Sequence, residues 1–576
     1  MKNLQLAATL NEIADLLEIL GENPFRIRAY RRAARSIELL PESIETVWRE
    51  GRLQEIEGVG KGLAAGIEQW LAEGVMDAHE ELKRRIPRGL LEVVRVPGVG
   101  PKTAKLLYDA LGVQSLADLE EACRAGRVRT IKGLGPKTEE NILRGIERLR
   151  RFAARTPIGV ALPLAQGIVA ELAALPAVRR AAYAGSLRRG RETVGDIDVL
   201  VASSAPDQVI EAFVALPGVE HILSRGQEKA SVLLAQGLQV DLLVVPEEQF
   251  AAALHHFTGS KEHNVTLREL ARARGLRISE HGIVDEATGA AIPVLEEEDI
   301  FSALGLPFIP PELREDGSEI SAARAGVLPR LVELSDIRGD LHVHSTWSDG
   351  RASIREMAEA ARARGYEYIA ITDHSKSLGV ARGLSPERLV QQIEEIRALN
   401  RLWDNFQILA GAEVDILPDG TLDYDDELLR RLDIVVASVH SAMNQDRETM
   451  TERIIKAMRH PCVDIVAHPT GRVLGRREAY DVDVERLIVA AAETGTCLEI
   501  NASPERLDLS DVYARAAKDA GVWLAINTDA HDVESLQQMA LGVVTARRGW
   551  VEKRHVLNCL PLPELRRTLK RGRACV

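Results

Sequence analysis

The chain of 576 residues has few cysteines and few aromatic residues. Its five cysteines include no C-x-x-C pair, so a disulfide framework and a thiolate zinc site are both poor fits. No uninterrupted apolar run approaches the roughly 20 residues that a membrane-spanning helix needs. The first residues lack a basic segment followed by an apolar block, and we expect no signal peptide. These absences indicate a cytoplasmic protein without a membrane partner.

The remaining composition is that of folded protein, with 28% charged and 45% hydrophobic residues. At about 150 residues per domain, the length predicts roughly four domains. The net charge is −13, although residues 124–155 are locally basic. Net charge governs non-specific attraction and does not decide a site, so an acidic chain can still bind phosphates locally.

Three patterns of residues divide the chain. Short amphipathic helices broken by glycine turns fill residues 1–150, and strand-like runs appear within 155–245. From Asp340 onward, seven strand-like runs alternate with helical patterns over about 240 residues. This last pattern predicts a closed parallel barrel.

A glycine hairpin recurs three times between helical stretches, with glycines at Gly58, Gly60, Gly98, Gly100, Gly133 and Gly135. Lys102 and Lys137 follow the second and third copies. Glycines permit the tight turn and let backbone N–H groups approach a phosphate, and the following helix adds its positive end. Such a turn holds a nucleic-acid backbone without reading its sequence. The pattern resembles the helix-hairpin-helix motif of DNA-binding proteins; ordinary interhelical turns are the alternative.

Two aspartates, Asp196 and Asp198, are two residues apart on a predicted strand, which places both carboxylates on one face. Asp241 lies on another predicted strand and is a candidate third carboxylate. Three carboxylates at one place repel each other unless divalent cations bind there, and two such ions serve phosphoryl transfer. Upstream, Gly185-Ser186 and Arg189 are placed to hold phosphate oxygens. Solvated aspartates in a turn are the alternative.

The segment GSLRRGRETVGDIDVL (185–200) resembles the palm motif of family X DNA polymerases, relatives of DNA polymerase beta. HFTGSKEHN (256–264) resembles their nucleotide-pocket segment, and NPFRIRAYRRAARSIELLP (23–41) their amino-terminal domain. The resemblance implies an α+β nucleotidyltransferase palm and thumb, Mg²⁺ or Mn²⁺ on Asp196, Asp198 and Asp241, and a deoxynucleoside triphosphate (dNTP) substrate. It further implies the following contacts: Gly185, Ser186, Arg189 and Gly195 with the triphosphate, Phe257 and Gly259 with the sugar, Asn264 with the base, Lys261 with base or phosphates, and Arg268 with the template strand.

The second half carries nine candidate metal ligands at the ends of predicted barrel strands, namely His342, His344, Asp349, His374, Glu413, His440, His468, Asp529 and His531. The carboxyl ends of barrel strands are where sites form in such folds. Imidazoles with carboxylates suit Mn²⁺, Zn²⁺ or Fe²⁺. Nine ligands are too many for one ion and about right for three, which together can hold a phosphodiester and activate water.

This constellation resembles the PHP (polymerase and histidinol phosphatase) domain, whose family includes phosphatases and 3′→5′ exonucleases. Fusion to a family X polymerase resembles the PolX architecture of bacteria and archaea. The expected fold is multidomain: α-helical helix-hairpin-helix domains, an α+β palm and thumb, and a C-terminal (β/α)7 barrel. The expected divisions are an N-terminal DNA-end-binding domain (1–90), fingers (91–155), palm and thumb (156–315), a linker (316–335) and the PHP barrel (336–576).

Together these features predict a bifunctional DNA-repair enzyme that is monomeric. One half fills short gaps by adding nucleotides to a 3′-OH, and the PHP half hydrolyses 3′ ends, with 3′-phosphatase and abasic-site cleavage as open extensions. Three alternatives stay open: a PHP barrel acting on a small-molecule phosphate, a non-enzymatic scaffold for DNA ends, and a nucleotidyltransferase acting on RNA or small molecules.

Overall fold

The computed structural model describes residues 2–38, 40, 43–94, 96, 98–153 and 155–570. The chain forms two compact units, Met1–Ala154 and Arg155–Val576. Among the described helices, none contains a stretch that is long and apolar enough to cross a membrane. Four cysteines, at positions 123, 462, 497 and 559, are buried, while Cys575 lies outside the described residues.

The first unit is helical. Its helices are α1 (Lys2–Ile19), α2 (Pro24–Glu38), α3 (Ile44–Arg49), α4 (Lys61–Glu73), α5 (Asp77–Arg85), α6 (Arg88–Val94), α7 (Pro101–Leu111), α8 (Leu116–Arg124) and α9 (Pro136–Ala153). Their apolar faces share one hydrophobic cluster that extends from Leu6 to Ile146. The helical domains expected from the sequence are confirmed, and their division at residue 90 stays a prediction.

The second unit begins with an α+β region. Its elements are β1 (Thr156–Pro157), α10 (Ile158–Ala173), β2 (Val178–Tyr183), α11 (Gly185–Arg188), β3 (Thr193–Val194), β4 (Asp196–Ser203), α12 (Pro206–Val214), β5 (Val219–Arg225), β6 (Lys229–Leu234) and β7 (Gln239–Val245). Five strands form one sheet in the order β2-β4-β7-β6-β5, in which β4 and β7 are parallel neighbours.

Strand β4 is apolar on both faces beyond its two aspartates, because both faces of the sheet are covered. Ile197, Val199 and Val201 pack into one hydrophobic cluster, whereas Leu200 and Ala202 pack into another. Side chains alternate between faces along a strand, so Asp196 and Asp198 share the face of Leu200. This alternation aims both carboxylates to the same side of the sheet.

The thumb region follows the palm sheet and has its own apolar cluster around Phe301. Its elements are α13 (Phe250–Thr258), α14 (Lys261–Arg272), β8 (Leu276–Ser279), β9 (Gly282–Asp285), β10 (Ala291–Ile292), α15 (Glu297–Ala303) and α16 (Ser318–Ala325). Helix α16 lies within the stretch expected as a linker (316–335), and its Ile320 and Ala323 pack into the thumb cluster. The three strands form a small antiparallel sheet in the order β10-β9-β8.

The C-terminal region alternates strands and helices. Its elements are β11 (Gly339–Val343), α17 (Ile354–Ala363), β12 (Tyr368–Ile371), α18 (Pro386–Leu399), β13 (Gln407–Asp415), α19 (Asp426–Leu429), β14 (Ile434–Ser438), α20 (Arg447–Met458), β15 (Ile465–Val466), α21 (Val484–Thr494), β16 (Cys497–Asn501), α22 (Asp511–Asp519), β17 (Leu524–Asn527), α23 (Met539–Arg548) and α24 (Leu562–Thr568).

The seven strands β11–β17 are parallel neighbours in chain order. A parallel bridge between Val343 and Ala530 brings the two ends of this order together. The strands are buried on both faces, as expected for parallel strands covered by helices. The predicted (β/α)7 barrel and the multidomain fold are therefore confirmed.

Candidate active sites

The first candidate site lies on the palm sheet. Asp198 on β4 stands directly across from Asp241 on β7 in the parallel register. Asp196 precedes Asp198 by two residues and therefore points to the same face. The side-chain amide of Gln239 donates hydrogen bonds of 3.0 Å to both carboxylate oxygens of Asp241. The three aspartates that the sequence singled out thus lie together.

Their mutual repulsion is evident in their acidities. Burial, followed by the charges of Asp196 and Asp241, raises the pKa of Asp198 to about 7. Burial and Asp241 also raise the pKa of Asp196. A cation bound among these carboxylates would relieve that cost, and oxygen donors are those that Mg²⁺ prefers. The donor set therefore fits the divalent ions expected from the sequence.

A turn on the same edge of the sheet approaches Asp198 closely. Gly185 has a φ of +61°, and a Cβ there would lie 2.1 Å from Asp198 Oδ2, so only glycine fits. Ser186 is half-buried in the short helix α11, and Gly195 is exposed with nothing within 4 Å of a Cβ placed on it. The turn leaves open space beside the carboxylates.

Arg189 ends this turn and points toward the nucleotide-pocket segment. Its Nη1 donates a hydrogen bond of 2.6 Å to the carbonyl of Thr258, and its Nε donates one of 3.3 Å to Glu315 Oε1. A Cβ on Gly259, whose φ is +67°, would lie 3.3 Å from Arg189 Nη1. The guanidinium of Arg189 and Gly259 are therefore neighbours.

A cavity of about 250 Å³ opens beside the carboxylates, with Asp198, Asp241 and Phe257 among its lining residues. Lys229, at the start of β6, also lines it. Sequence reasoning missed this lysine, because an exposed cation on a strand carries no motif. It adds a positive charge to a pocket that otherwise presents carboxylates.

The remaining residues expected in the nucleotide pocket differ in exposure and in hydrogen bonding. Lys261 is exposed at the start of α14. Asn264 is 8% exposed; its amide donates a hydrogen bond of 2.8 Å to the carbonyl of His256, and its Oδ1 has no partner among the described residues. Arg268 donates to the backbone carbonyl of Asn264 at 3.1 Å. The Asn264 Oδ1 is thus a buried acceptor without a hydrogen-bond partner among the described residues.

The three glycine hairpins of the first unit adopt the same geometry. Gly58, Gly98 and Gly133 have φ values of +89°, +85° and +95°. In each copy the second glycine immediately precedes a helix, at Lys61, Pro101 or Pro136. Nothing lies within 4 Å of a Cβ placed on any of the glycines Gly60, Gly98, Gly100, Gly133 and Gly135, and Lys102 and Lys137 are exposed. The hairpins thus present open backbone at the surface.

The second candidate site lies at the carboxyl ends of the barrel strands. Glu413 is its centre: Oε2 lies 2.8 Å from His374 Nδ1 and Oε1 lies 3.0 Å from His468 Nε2. His440 Nε2 lies 3.4 Å from Oε1, and His342 Nε2 lies 3.5 Å from Oε2. Four strands therefore bring imidazoles onto one carboxylate.

Two further carboxylates complete the cluster. Asp529 Oδ1 lies 3.1 Å from His344 Nε2, and Asp349 Oδ1 lies 3.4 Å from His531 Nε2. Asp349 Oδ1 also lies 3.5 Å from His374 Nε2. All nine residues that the sequence singled out are thus brought together.

Three overlapping groups have ligand atoms within 4.8 Å of one another: His344, Asp349, His374 and His531; His342, His344 and Asp529; and His374, Glu413 and His440. His344 Nδ1 is buried without a hydrogen-bond partner among the described residues. Histidine with carboxylate is the donor chemistry of Mn²⁺, Zn²⁺ and Fe²⁺ sites. The residues present therefore fit a multinuclear metal centre.

The imidazoles of the metal-free cluster differ in protonation. Although burial opposes it, neighbouring carboxylates hold the pKa of His342 and of His374 well above the ordinary value, so these two would release a proton on binding metal. Burial and the neighbouring His531 and His374 lower the pKa of His344 to about 4, which keeps this imidazole neutral. Although burial opposes it, the surrounding histidines hold the pKa of Glu413 well below its usual range. A neutral imidazole beside an ionised carboxylate is the protonation state that metal ligation requires.

Two of the nine residues are held in the left-handed backbone region, His468 with a φ of +29° and Asp529 with a φ of +55°. Residues other than glycine rarely adopt such φ values, which cost about 1–3 kcal/mol each. Residues in this conformation are concentrated at functional sites. The barrel therefore holds both side chains in place at a cost to local stability.

Sequence reasoning missed the residues that orient this cluster. Glu499, inside β16, is fully buried and lies 2.8 Å from His342 Nδ1. Asp415 lies 2.6 Å from His440 Nδ1. Asp373 accepts hydrogen bonds from the backbone N–H groups of Ser345 and Ser348 at 2.8 and 3.2 Å. The signal available was a single acid inside an apolar strand, as in CLEIN (497–501).

Comparison with known families divides the chain into four matches. Residues 1–76 match the helix-hairpin-helix domain, and residues 90–148 match the SAM-like helix-hairpin-helix tandem. Residues 253–315 match the DNA polymerase beta thumb, and residues 340–503 match the PHP domain. The fold and the two sites thus define a family X polymerase joined to a PHP barrel.

Individual relatives narrow this class. DNA polymerase/3′-5′ exonuclease PolX of Bacillus subtilis (strain 168) is 44% identical over 574 residues, which cover 99% of this chain and 100% of that protein. DNA polymerase lambda of Rattus norvegicus is 26% identical over 54% of this chain and 56% of its own length. A probable phosphatase of Thermoanaerobacter sp. (strain X514) is 34% identical over 33% of this chain and 78% of its own length. The chain belongs to the PolX family.

Proposed function

We propose that the protein is a bifunctional DNA-repair enzyme that fills short gaps and trims 3′ ends. The palm adds deoxynucleotides to a 3′-OH, and the barrel hydrolyses the 3′ end as a 3′→5′ exonuclease. The observation that carries the proposal is the presence of two separate acidic clusters, around Asp198 and around Glu413, in one PolX-family chain.

In the palm, Asp196, Asp198 and Asp241 would hold two Mg²⁺ or Mn²⁺ ions. When bound, these ions supply positive charge that stabilises the triphosphate and acidifies the attacking hydroxyl. The guanidinium of Arg189 binds triphosphate oxygens, and Gly185 leaves room for phosphate beside Asp198. Ser186 and Gly195 complete the phosphate contacts.

Other side chains orient the nucleotide and the template. Phe257 packs beside the sugar in the cavity next to the carboxylates, and Gly259 keeps the backbone close to it. The free Oδ1 of Asn264 faces the base, and Lys261 contacts base or phosphates. Arg268 contacts the template strand. The glycine hairpins hold the DNA backbone on either side of the gap.

In the barrel, the nine clustered residues would hold three divalent ions, with Mn²⁺, Zn²⁺ or Fe²⁺ as the candidates. When bound, these ions neutralise the phosphodiester and lower the pKa of water. Arg506 lies beside the cluster, with Nε 3.5 Å from Asp529 Oδ2 and a buried Nη1 that has no partner among the described residues. That free donor binds a phosphate oxygen of the scissile end.

The test is extension and degradation of one 3′-labelled gapped duplex with dNTPs and Mn²⁺. Asp196→Ala should abolish extension, by at least about 10³-fold, and leave 3′ degradation intact. His344→Ala should do the reverse. Loss of both activities in either variant would overturn the two-site assignment.

Matched controls use the same substitutions away from the sites. Asp207→Ala removes an exposed aspartate of α12, and His460→Ala removes a half-buried histidine that pairs with Asp426 at 3.1 Å. Both variants should retain both activities. A purified protein that holds no bound transition metal would favour the non-enzymatic scaffold.

A second reading of the barrel is a phosphatase acting on small molecules, because a probable phosphatase is 34% identical over 33% of this chain. Comparing hydrolysis of the labelled 3′ end with that of a phosphomonoester at equal concentration discriminates between the two. Faster turnover of the phosphomonoester favours the phosphatase. We also infer that the protein is monomeric and cytoplasmic, the latter because its five cysteines include no C-x-x-C pair.

A further inference from the structure

The turn that carries Arg189 packs against the PHP barrel. Gly190 has a φ of +70°, and a Cβ there would lie 2.2 Å from Val544 Cγ1 on α23. Two residues later, Glu192 forms an ion pair of 2.7 Å with Arg472 of the barrel. The palm's phosphate-binding turn is therefore seated on side chains of the other half of the enzyme.

Arg548, the last residue of α23, makes the most direct of these contacts. Its side chain is 4% exposed, and Nη1 donates a hydrogen bond of 2.7 Å to the backbone carbonyl of Arg189. The same nitrogen donates to Glu315 Oε1 at 2.8 Å. Nε donates to Asp511 Oδ2 at 2.9 Å, which anchors the guanidinium to α22 of the barrel.

Glu315 connects Arg548 to the side chain of Arg189. One carboxylate oxygen, Oε1, accepts from both Arg548 Nη1 and Arg189 Nε. The backbone carbonyl of Glu315 accepts a hydrogen bond from the hydroxyl of Ser260, which follows Gly259 in the nucleotide-pocket segment. Arg548 thus contacts the backbone of Arg189 directly and its guanidinium through one shared carboxylate.

We infer that Arg548 of the PHP barrel is a positioning residue for nucleotide addition in the palm: it fixes the Arg189 backbone and, through Glu315, the direction of the Arg189 guanidinium. The inference rests on the proposed polymerase function, in which Arg189 binds the triphosphate. A charge-assisted hydrogen bond in a nearly solvent-free position restricts both groups, and a bidentate guanidinium adds geometric specificity. The barrel therefore takes part in the polymerase reaction without touching the nucleotide.

The decisive variant is Arg548→Ala in the full chain. Loss of an oriented Arg189 weakens nucleotide binding in ground state and transition state alike, so KM for dNTP should rise about tenfold while kcat changes less than about threefold. The affinity for Mg·dGTP in the absence of DNA, measured by calorimetry, should fall by the same factor. Hydrolysis of a 3′ end by the barrel should stay within about twofold of wild type.

Arg547→Ala is the matched control. Arg547 is the neighbouring arginine on α23, and its Nε pairs with Glu312 at 2.6 Å. The substitution removes the same charge from the same helix and also breaks an ion pair between the barrel and the thumb. Arg547 itself does not contact Arg189 or Glu315. If both variants lower kcat alone and leave KM and nucleotide binding unchanged, Arg548 has only a structural role and the inference is overturned.

A double-mutant cycle tests the path through Glu315. Glu315→Gln keeps the shape of the side chain and weakens its contacts with Arg189 and Arg548, as well as its 3.6 Å ion pair with Arg191, so it should raise KM for dNTP to a similar degree. The double variant Arg548→Ala/Glu315→Gln should raise KM for dNTP no further than either single variant does, because Arg548, Glu315 and Arg189 belong to one network. Additive effects would contradict a shared path.

Different results would contradict the proposed polymerase function and the positioning role of Arg548. If the wild-type protein does not extend a gapped primer, the proposed polymerase function is wrong. If it extends the primer and Arg548→Ala matches wild type in KM and in Mg·dGTP affinity, the polymerase stands and the positioning role of Arg548 is wrong.

Discussion

Glu499 Oε1 lies 2.8 Å from Nδ1 of His342, on the side of the imidazole that faces away from the other candidate metal ligands. The same oxygen accepts from the Asn527 amide at 2.9 Å, while Oε2 accepts from the His468 backbone N–H at 2.8 Å. One buried carboxylate thereby orients two candidate ligands from β11 and β15. Such partners set the direction and basicity of the imidazole that they bind.

Glu499→Gln should lower the affinity of the barrel for metal by roughly 10- to 100-fold. The side-chain amide of glutamine would place an N–H donor against the donors from which the Glu499 carboxylate accepts hydrogen bonds. Metal content after dialysis against buffered Mn²⁺ measures the effect, together with 3′ hydrolysis as a function of Mn²⁺ concentration. Glu493→Gln, an exposed glutamate of α21, is the control. Unchanged metal content in Glu499→Gln would show that its contacts do not support ligation.

Asp373→Asn should loosen the loop that presents His344 and Asp349. The Asp373 carboxylate gathers backbone and hydroxyl donors of Ser345 and Ser348, and the substitution leaves some of them unpaired. We expect 3′ hydrolysis to fall roughly tenfold or more with gap filling unchanged. Asp404→Asn, at an exposed position, should match wild type. A parallel loss of gap filling would indicate general unfolding instead.

Asp198→Asn should stabilise the metal-free protein while it inactivates the polymerase. Folding raises the pKa of Asp198 from its ordinary value of 3.8 to about 7, so the folded chain binds this proton more tightly than the unfolded chain. Stability from this group is present below about pH 4 and is lost as pH rises toward 7. Asparagine removes that loss, which amounts to about 4 kcal/mol at pH 8.

Unfolding in urea with a chelator, at pH 8 and near pH 4, checks this expectation. The gain of Asp198→Asn should be present at pH 8 and nearly absent at the acidic pH. Added Mg²⁺ should stabilise wild type more than the variant, because only wild type keeps the full carboxylate set. A variant that is less stable than wild type at pH 8 would contradict the repulsion.

Gly58→Ala and Gly60→Ala should separate folding from DNA binding. A Cβ on Gly58 would lie 2.9 Å from the backbone N of Ala33 and stands at a φ of +89°, so alanine should destabilise the first hairpin by about 1–3 kcal/mol. Gly60 has a φ of −86° and open space around it, so alanine should leave stability within about 0.5 kcal/mol.

The readouts are thermal unfolding and fluorescence anisotropy of a labelled gapped duplex. Gly60→Ala should bind the duplex more weakly at unchanged stability, because its methyl group stands between backbone N–H groups and a phosphate. Wild-type affinity in Gly60→Ala would show that the first hairpin does not contact DNA.

Much of this protein follows from local sequence. The spacing of Asp196 and Asp198 places them on one face because strand side chains alternate, and this needs no knowledge of the rest of the fold. Likewise, the nine barrel residues follow strand-like runs, and parallel strands of a barrel end at one rim. Short-range periodicity and residue chemistry were therefore sufficient to predict the aspartate pair and the parallel barrel with its candidate ligands, whereas the palm and thumb followed from the resemblance to family X polymerases.

The partners of these residues were decided by the tertiary structure. Asp241 meets Asp198 through strand register, Glu499 reaches His342 across the barrel, and Arg548 reaches Arg189 from 359 positions along the chain. Such contacts join charges whose separation in sequence carries no periodic signal, and only packing brings them within hydrogen-bond distance. The sequence by itself determined which chemistry each half carries, whereas the folded chain decided which buried acids and arginines hold that chemistry in position.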